Sequence, residues 1–238
     1  MGDVSFGDAT AYIKFRLGNR DDLENYNSEN LYKKWFNLSY KQLTTQKTFY
    51  GLRIDYDFPE LKTNNSGVNA TDGVAYIDTP ADCLHIYEVF DETSNKRLKW
   101  RPWSWYIKQA DRDTATAEAA PTYWIVYGAG GDAGDKRVYL YKTPNTTYSI
   151  YIYYRKRVAD LSATTDVTLI GAEWDEVIME SAVAMGYKWL REWTNFDKAK
   201  TDIKDLIAGV IGIPGLEELA RDERIQPEPL YSLNDYYG

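Results

Sequence analysis

The spacing of apolar residues changes twice along this chain, and the two changes limit the folds that it can adopt. Near the start, Ala9, Ile13 and Leu17 recur every four residues, which is the spacing of one helix face. From about residue 52 to residue 157, apolar and polar residues alternate, which is typical of strands with one buried face. From Glu173 the helical spacing returns. The sequence therefore predicts an α+β fold that is mainly a helical bundle, with an antiparallel β insertion and an extended C-terminal arm.

The predicted domain boundaries follow from these changes. Helical segments at 8–47 and 171–224 have apolar faces too large to be left exposed, so we expect them to pack on each other. The β-rich insertion covers residues 50–160, and the three segments together form one predicted domain, residues 1–224. Residues 225–238 contain prolines and no apolar period, which predicts an extended arm.

Local signals predict where individual elements begin and end. Asp8 and Ser28 are candidate N-caps, because their side chains can accept hydrogen bonds from the first turn of a helix. Residues 52–58 alternate as a strand that stops at Pro59. Residues 62–73 are rich in Asn, Gly and Thr and are predicted to form a loop.

Few residues of this chain are suited to catalysis or metal binding. Cys83 is the only cysteine and His85 the only histidine, so an internal disulfide and a CxxC site are excluded. The two share a predicted strand face, but no third group that would orient them is evident. The glycine-rich stretch 128–136 lacks the following helix of a phosphate loop. We therefore predict no enzymatic activity, no cofactor and no metal. A cell-wall glycosidase stays open as an alternative, because the separation of two carboxylates cannot be read from a sequence.

The charge of the chain argues against a general nucleic-acid-binding surface. The net charge is -8, with 28 Lys and Arg against 36 Asp and Glu, whereas phosphate binding needs clustered cations. The most basic patch, residues 155–157, is interpreted as a solvated strand end. The longest near-apolar stretch, 206–213, is too short to span a bilayer. The start does not have the pattern of a signal peptide. We therefore expect a cytosolic protein without a membrane segment.

Aromatic residues are the clearest compositional excess, at 15% of the chain with 21 tyrosines and eight tryptophans. Residues 138–157 are predicted to form a hairpin that turns at Pro144 and Asn145. Its alternation places one set of side chains on the better-buried face: Tyr148, Ile150, Ile152 and Tyr154. Four tyrosines lie on the face that is predicted to be more exposed to solvent, and we expect the helical layer or a neighbouring subunit to cover them: Tyr139, Tyr141, Tyr151 and Tyr153.

The C-terminal arm is acidic and also carries apolar side chains. A purely disordered tail is usually poor in aromatic residues, whereas aromatic anchors are typical of interfaces. The arm is therefore predicted to dock on a partner through five residues: Leu230, Tyr231, Leu233, Tyr236 and Tyr237.

The order of these segments resembles the head-to-tail adaptor, or connector, proteins of tailed bacteriophages. The resemblance covers roughly residues 6–205 and follows the family's scheme of Tyr, Pro, Asp, Arg, Leu and Ser positions. The matching residues are Tyr76, Pro80, Asp82, Pro121, Tyr123, Pro144, Tyr154, Arg155, Leu161 and Ser162.

The resemblance implies a structural virion protein, assembled in the host cytoplasm and located at the neck between head and tail. Proteins of this family form a ring, usually dodecameric, under the portal protein, often with C-terminal arms docked on the portal. Tail or nozzle proteins attach below, and genomic DNA passes through the channel during ejection without specific binding. An overall negative charge is consistent with such a conduit. The alternative is a carbohydrate- or receptor-binding protein, or another tail structural protein, of a phage virion.

Overall fold

The computed structural model of the chain contains two compact units, and each is described by itself. The residues that the structure describes are 4–54, 56–110, 118–129 and 136–212. The first unit lies within Met1–Pro59 and Val158–Gly238, and the second is Glu60–Arg157. The prediction that residues 1–224 form one adaptor domain stays a prediction.

The first unit is built mainly from helices and the second mainly from strands. The α-helices of the described ranges are α1 (Phe6–Arg16), α2 (Leu31–Thr45), α3 (Trp103–Ala110), α4 (Asp175–Trp189) and α5 (Trp193–Ile211). The strands are β1 (Thr48–Phe49), β2 (Leu52–Arg53), β3 (Lys62–Ala70), β4 (Tyr76–Asp78), β5 (Cys83–Asp91), β6 (Lys96–Arg97), β7 (Lys99–Trp100), β8 (Tyr123–Ala129), β9 (Lys136–Tyr141) and β10 (Tyr148–Lys156).

The prediction of a mainly helical bundle is wrong. The described residues form an α+β structure that is 40% helical and 27% strand. Eight of the strands build two four-stranded sheets within the second unit. Part of the difference comes from β3, because residues 62–73 were predicted as a loop and 62–70 form a nine-residue strand.

Helices α1 and α2 begin at caps close to, but not at, the predicted residues. The Ser5 hydroxyl accepts a hydrogen bond from the Asp8 backbone N–H, so Ser5 rather than Asp8 is the N-cap of α1. The Asn30 side chain accepts from the Lys33 N–H and caps α2, whereas Ser28 was predicted to do so. In both helices the observed cap lies three residues before the N–H that it binds, which is the geometry that an N-cap needs.

The core of the first unit is centred on α4, which packs against α1, α2 and α5. The aliphatic side chains of Val177, Ile178 and Val183 on α4 are fully buried. Gly186 marks the closest approach, because a Cβ atom added there would lie 2.3 Å from the Leu17 Cδ1 atom. Buried residues lie on several sides of α4, in agreement with its central place in this unit.

The predicted strand over residues 52–58 is correct only at its start. Strand β2 ends at Arg53, and beyond it Tyr56 and Phe58 are buried by ring packing rather than by a sheet. Their ring centroids lie 5.3 and 5.1 Å from that of Trp174. The alternation thus predicted correctly that Tyr56 and Phe58 are buried. These side chains pack on a tryptophan of the helical unit, however, and not on a second strand.

The second unit is a β-sandwich. Its first sheet has the strand order β3-β10-β5-β6, and its second sheet has the order β4-β9-β8-β7. One buried apolar cluster includes Ile150 and Val89 from the first sheet together with Val138 and Leu140 from the second, so the two sheets pack face to face.

The predicted hairpin over residues 138–157 is wrong, because its two strands lie in different sheets. Strand β9 pairs with β4 and β8, whereas β10 pairs with β3 and β5. The predicted buried face of β10 is correct: Ile150 and Ile152 are fully buried, and Tyr148 and Tyr154 nearly so. Alternation fixes which side chains face the core, but it does not fix which strand lies alongside.

Candidate interaction surfaces

Helix α3 covers the outer face of the second sheet with an aromatic layer. We call this layer the α3 aromatic cluster: Trp103, Trp105, Tyr106, Tyr123, Tyr127, Tyr139 and Tyr141. The Trp103 and Tyr127 rings stack with centroids 3.7 Å apart and an interplanar angle of 4°. Trp105 meets Tyr141 edge to face at 5.1 Å, an arrangement that aromatic pairs prefer.

Tyr139 and Tyr141 are therefore covered by a helix of their own unit that the sequence reasoning missed. The Trp103 ring centroid lies 5.4 Å from that of Tyr139. A signal for α3 was present, since Pro102 stands directly before the helix and its carbonyl accepts from the Trp105 N–H. The prediction that these tyrosines contribute to a subunit interface stays a prediction.

The cluster is a packing layer rather than an open stacking platform. Arg101 places its guanidinium 5.6 Å from the Trp105 ring centroid and 5.2 Å from that of Tyr123. Burial raises the pKa of the Tyr106 hydroxyl. Most of these rings stack on one another or on a guanidinium and are half-buried, while Tyr127 is 47% exposed.

The outer face of the first sheet holds the other two predicted tyrosines and is partly exposed among the residues that the structure describes. We call it the first-sheet outer face: Lys62, Tyr87, Phe90, Arg97, Tyr151, Tyr153 and Arg155. Tyr153 is 40% exposed and Tyr87 is 36% exposed. Tyr151 lies opposite Phe90 across the β10–β5 pair. The structure thus separates the four predicted tyrosines into two pairs on two different sheets.

Charged groups of both signs lie beside these rings. The Lys62 ammonium is 5.7 Å from the Tyr87 ring centroid, and Arg97 Nε lies 2.7 Å from Glu88 Oε1. The negative charge of Glu92 raises the pKa of the Tyr151 hydroxyl. Aromatic and arginine side chains with charges at the edge are what protein interfaces favour.

A third surface lies on the helical unit, as an apolar groove of about 560 Å³. Its lining residues come from α2, α4, α5 and the β1–β2 hairpin: Trp35, Leu38, Gln42, Gln46, Phe49, Tyr50, Met185, Lys188, Trp189 and Phe196. Leu38 and Trp189 are each 43% exposed. A concave, methionine- and aromatic-lined surface of this kind is suited to apolar side chains of a partner.

Arg16 and Glu180 form a partly buried ion pair in the helical unit. Tyr12 and Arg16 on α1 both donate hydrogen bonds to Oε1 of Glu180 on α4. Burial, followed by the neighbouring Glu180 carboxylate, raises the pKa of Tyr12. The second oxygen, Glu180 Oε2, is buried without a hydrogen-bond partner.

The structure places Cys83 and His85, the candidate catalytic pair, in different environments. Cys83 is buried and His85 is exposed, so the expected shared face of the two is absent. Burial raises the pKa of the Cys83 thiol, which disfavours the reactive thiolate. Across the described ranges, no group of His, Cys, Asp and Glu is arranged to hold a metal ion. Nor does any helix there have the length and apolar character to cross a membrane.

Several residues of the family-like sequence scheme have structural contacts. The Tyr154 hydroxyl donates to Asp82 Oδ1 at 3.0 Å, which ties β10 to the turn before β5. The side chain of Asn37 on α2 bonds both the N–H and the carbonyl of Leu161. These contacts therefore fix the fold locally.

The predicted arm and its five docking residues lie outside the residues that the structure describes. A protein-family model described as SU10 adaptor protein matches residues 4–211. No curated protein matches the chain significantly.

Proposed function

The chain belongs to the SU10 adaptor protein family, a family of phage head–tail adaptors, and on that basis we propose that it forms a ring under the portal protein. It is a structural adaptor protein of a phage virion. The single observation that carries the proposal is the family match, which spans residues 4–211 and so includes both units.

The proposed assembly is a closed ring, dodecameric as the sequence resemblance implies, at the neck between head and tail. A ring needs head-to-tail interfaces, in which each subunit contributes two different patches. The chain offers distinct candidates for them, because the apolar groove lies on the helical unit and the first-sheet outer face on the β-sandwich. Tail or nozzle proteins would attach to the ring on the side away from the portal.

The C-terminal arm is the proposed contact with the portal. Its apolar side chains are interspersed with acidic and polar residues near the end of the sequence. Anchors of this type bind by inserting into pockets of a partner. The proposed docking residues are Leu230, Tyr231, Leu233, Tyr236 and Tyr237.

Genomic DNA is proposed to pass through the ring without specific binding. The net charge of -8 supports this, because phosphate groups are repelled by a surface of like charge. A sugar-binding role receives less support, since most rings of the α3 aromatic cluster pack against one another. No catalytic step is part of the proposed function.

The experiment that tests this function is to measure the mass of the protein alone and after mixing with its portal protein. A ring with a defined number of copies, free or bound to the portal, is the expected result. A protein that stays monomeric under both conditions would overturn the proposal.

A further inference from the structure

The segment between β10 and α4 presents two apolar side chains to solvent. Exposed and buried residues alternate near its end: Val167 and Leu169 are 40% and 46% exposed, whereas Thr168 and Ile170 are buried. We propose that the two exposed side chains enter the apolar groove on the helical unit of a second copy of the chain. The inference rests on the ring proposed above and adds which surfaces of neighbouring copies meet.

The segment is held in place by its own unit, so its outward side chains form a defined surface. We call residues 160–170 the connecting segment. The Leu169 N–H donates a hydrogen bond to the Tyr40 hydroxyl of α2 at 2.8 Å. The Asn37 amide, also on α2, bonds the N–H and the carbonyl of Leu161. A surface that is already fixed loses little further conformational freedom when it binds a partner.

The proposed contact does not depend on charge. Both carboxylates of the connecting segment have partners: Asp160 lies 2.6 Å from the Lys41 ammonium, and Asp166 accepts hydrogen bonds from two backbone N–H groups. Among the described residues that line the groove, Lys188 carries the one charge. The contact is therefore apolar, and we expect it to persist at salt concentrations that screen surface charges.

The groove and the connecting segment lie on opposite sides of α2. Trp35, Leu38 and Gln42 of this helix line the groove. Asn37 and Tyr40 of the same helix hold the connecting segment. At 3.6 residues per turn, the two sets of side chains are centred about 160° apart around the helix axis. Two different surfaces on opposite sides of one unit are what a head-to-tail contact needs, and such contacts can close into a ring.

Shape also favours a contact between the two different surfaces over a symmetric one. The groove is concave, and its volume of about 560 Å³ exceeds that of two aliphatic side chains. Two grooves placed against each other would leave this space unfilled, which forfeits the contacts of the atoms that line it. Insertion of Val167 and Leu169 of the next copy would instead fill the groove. It would also cover Leu38 and Trp189, which are each 43% exposed, and removing apolar surface from water is favourable.

The first test removes the apolar side chains from the connecting segment. We expect the Val167→Ser, Leu169→Ser double variant to need an at least about tenfold higher protein concentration for half-assembly with the portal protein, because its aliphatic contacts are lost. Sedimentation measures this. The matched control is Phe15→Ser, which removes a 67% exposed side chain from α1 of the same unit and should assemble like the wild type. Thermal unfolding checks that both variants fold.

A photo-cross-linker identifies what occupies the groove, independently of any loss of assembly. Gln46 lines the groove and is exposed, whereas Cys83, the one cysteine of the chain, is buried. A Gln46→Cys variant can therefore carry a benzophenone maleimide at that position. Assembled together with ¹⁵N-labelled wild type, it should be joined to a ¹⁵N-labelled peptide that contains residues 167–169. A Phe15→Cys variant with the same reagent should not be joined to that peptide.

Three results would overturn the inference and leave the ring as a proposal. The first is a Val167→Ser, Leu169→Ser variant that assembles like the wild type, and the second is equal weakening by Phe15→Ser. The third is a groove that is cross-linked to residues 213–238 or to another virion protein and never to residues 167–169. A wild-type protein that stays monomeric with and without portal would instead overturn the proposed function, and this inference with it.

Discussion

The buried carboxylate of Glu180 depends on partner groups from a neighbouring helix. Its carboxylate is 5% exposed and lies on α4, where Tyr12 and Arg16 of α1 reach it. A carboxylate in this position is tolerated because a cation and a hydroxyl replace the water that it has lost. The pair therefore fixes α1 against α4, although an ion pair of this kind contributes less net stability than its partners suggest.

Arg16→Met should destabilise the first unit, because it leaves the Glu180 charge buried without its cation. We expect the free energy of unfolding to fall by about 2–4 kcal/mol, at the lower end of the range for buried pairs because Arg16 is partly exposed. Urea denaturation measures this. Lys34→Met is the matched control: it breaks the exposed Lys34–Glu29 pair and should change stability by less than about 1 kcal/mol. Equal effects of the two variants would contradict the assignment.

Tyr154 should contribute to the loss of stability at alkaline pH. Burial, together with the hydrogen bond to Asp82, raises the pKa of Tyr154 to about 12, above the unfolded value of about 10. Its stabilisation is therefore fully present below about pH 10 and is lost as the pH rises through about 12. Tyr154→Phe should flatten the fall in the free energy of unfolding over that interval, measured by urea denaturation. An unchanged fall would show that this hydroxyl is not responsible.

At the scale of elements, the sequence predicted which side chains of a strand are buried better than it predicted which strands pair with each other. The alternation of β10 identified Ile150 and Ile152 as buried, because the side-chain period of a strand follows directly from its backbone. The pairing of β9 with β10 was wrong, since pairing depends on contacts between segments far apart in sequence. Strand β3 was missed because its side chains are polar; it lies at a sheet edge, where polar residues are common.

The sequence likewise predicted only part of the candidate surfaces. The four outward tyrosines were identified by period, but the helix that covers Tyr139 and Tyr141 was not. The segment of α3 is short and rich in tryptophan, and an isolated helix of eight residues has little stability without tertiary packing. The groove on the helical unit was not predicted at all, because a concave surface arises from several elements that the sequence does not place together.

The packing of α4 can be tested with a pair of glycine substitutions. Gly186→Ala would place a Cβ 2.3 Å from Leu17 Cδ1 and 3.1 Å from Trp35 Cζ3, so we expect a destabilisation of about 1–2 kcal/mol. Gly209→Ala on α5 meets nothing within 4 Å and should stabilise by up to about 1 kcal/mol, since alanine favours a helix. Thermal unfolding compares the two, and a stabilising Gly186→Ala would contradict the close packing described here.

At the scale of the whole molecule, the many aromatic side chains of the chain lie in several separate places. Trp174 holds aromatic side chains in the core of the helical unit, and the α3 aromatic cluster covers one sheet of the sandwich. Other exposed rings lie on the first-sheet outer face and along the groove, and further ones, such as Phe15 and Trp193, lie on the helices. An adaptor that joins different proteins needs several such surfaces, and this distribution agrees with membership of the family.

Removing the predicted arm separates docking from folding. Deletion of residues 226–238 should leave the midpoint of thermal unfolding nearly unchanged, because the buried core residues of the described ranges extend no further than Val210. Binding to the portal protein, measured by co-sedimentation, should weaken because the aromatic anchors are lost. A full-length chain in which the five docking residues are changed to serine is the control for length. Portal binding that is equal in all three proteins would remove the proposed role of the arm.

The central claim is that this chain forms a ring which joins the portal to the tail. Electron microscopy of the protein mixed with its portal protein tests it most directly. We predict a closed ring seated on one end of the portal, with a central opening along the axis of the portal channel. Portal particles with no added density, or with single copies bound at irregular positions, would contradict the account.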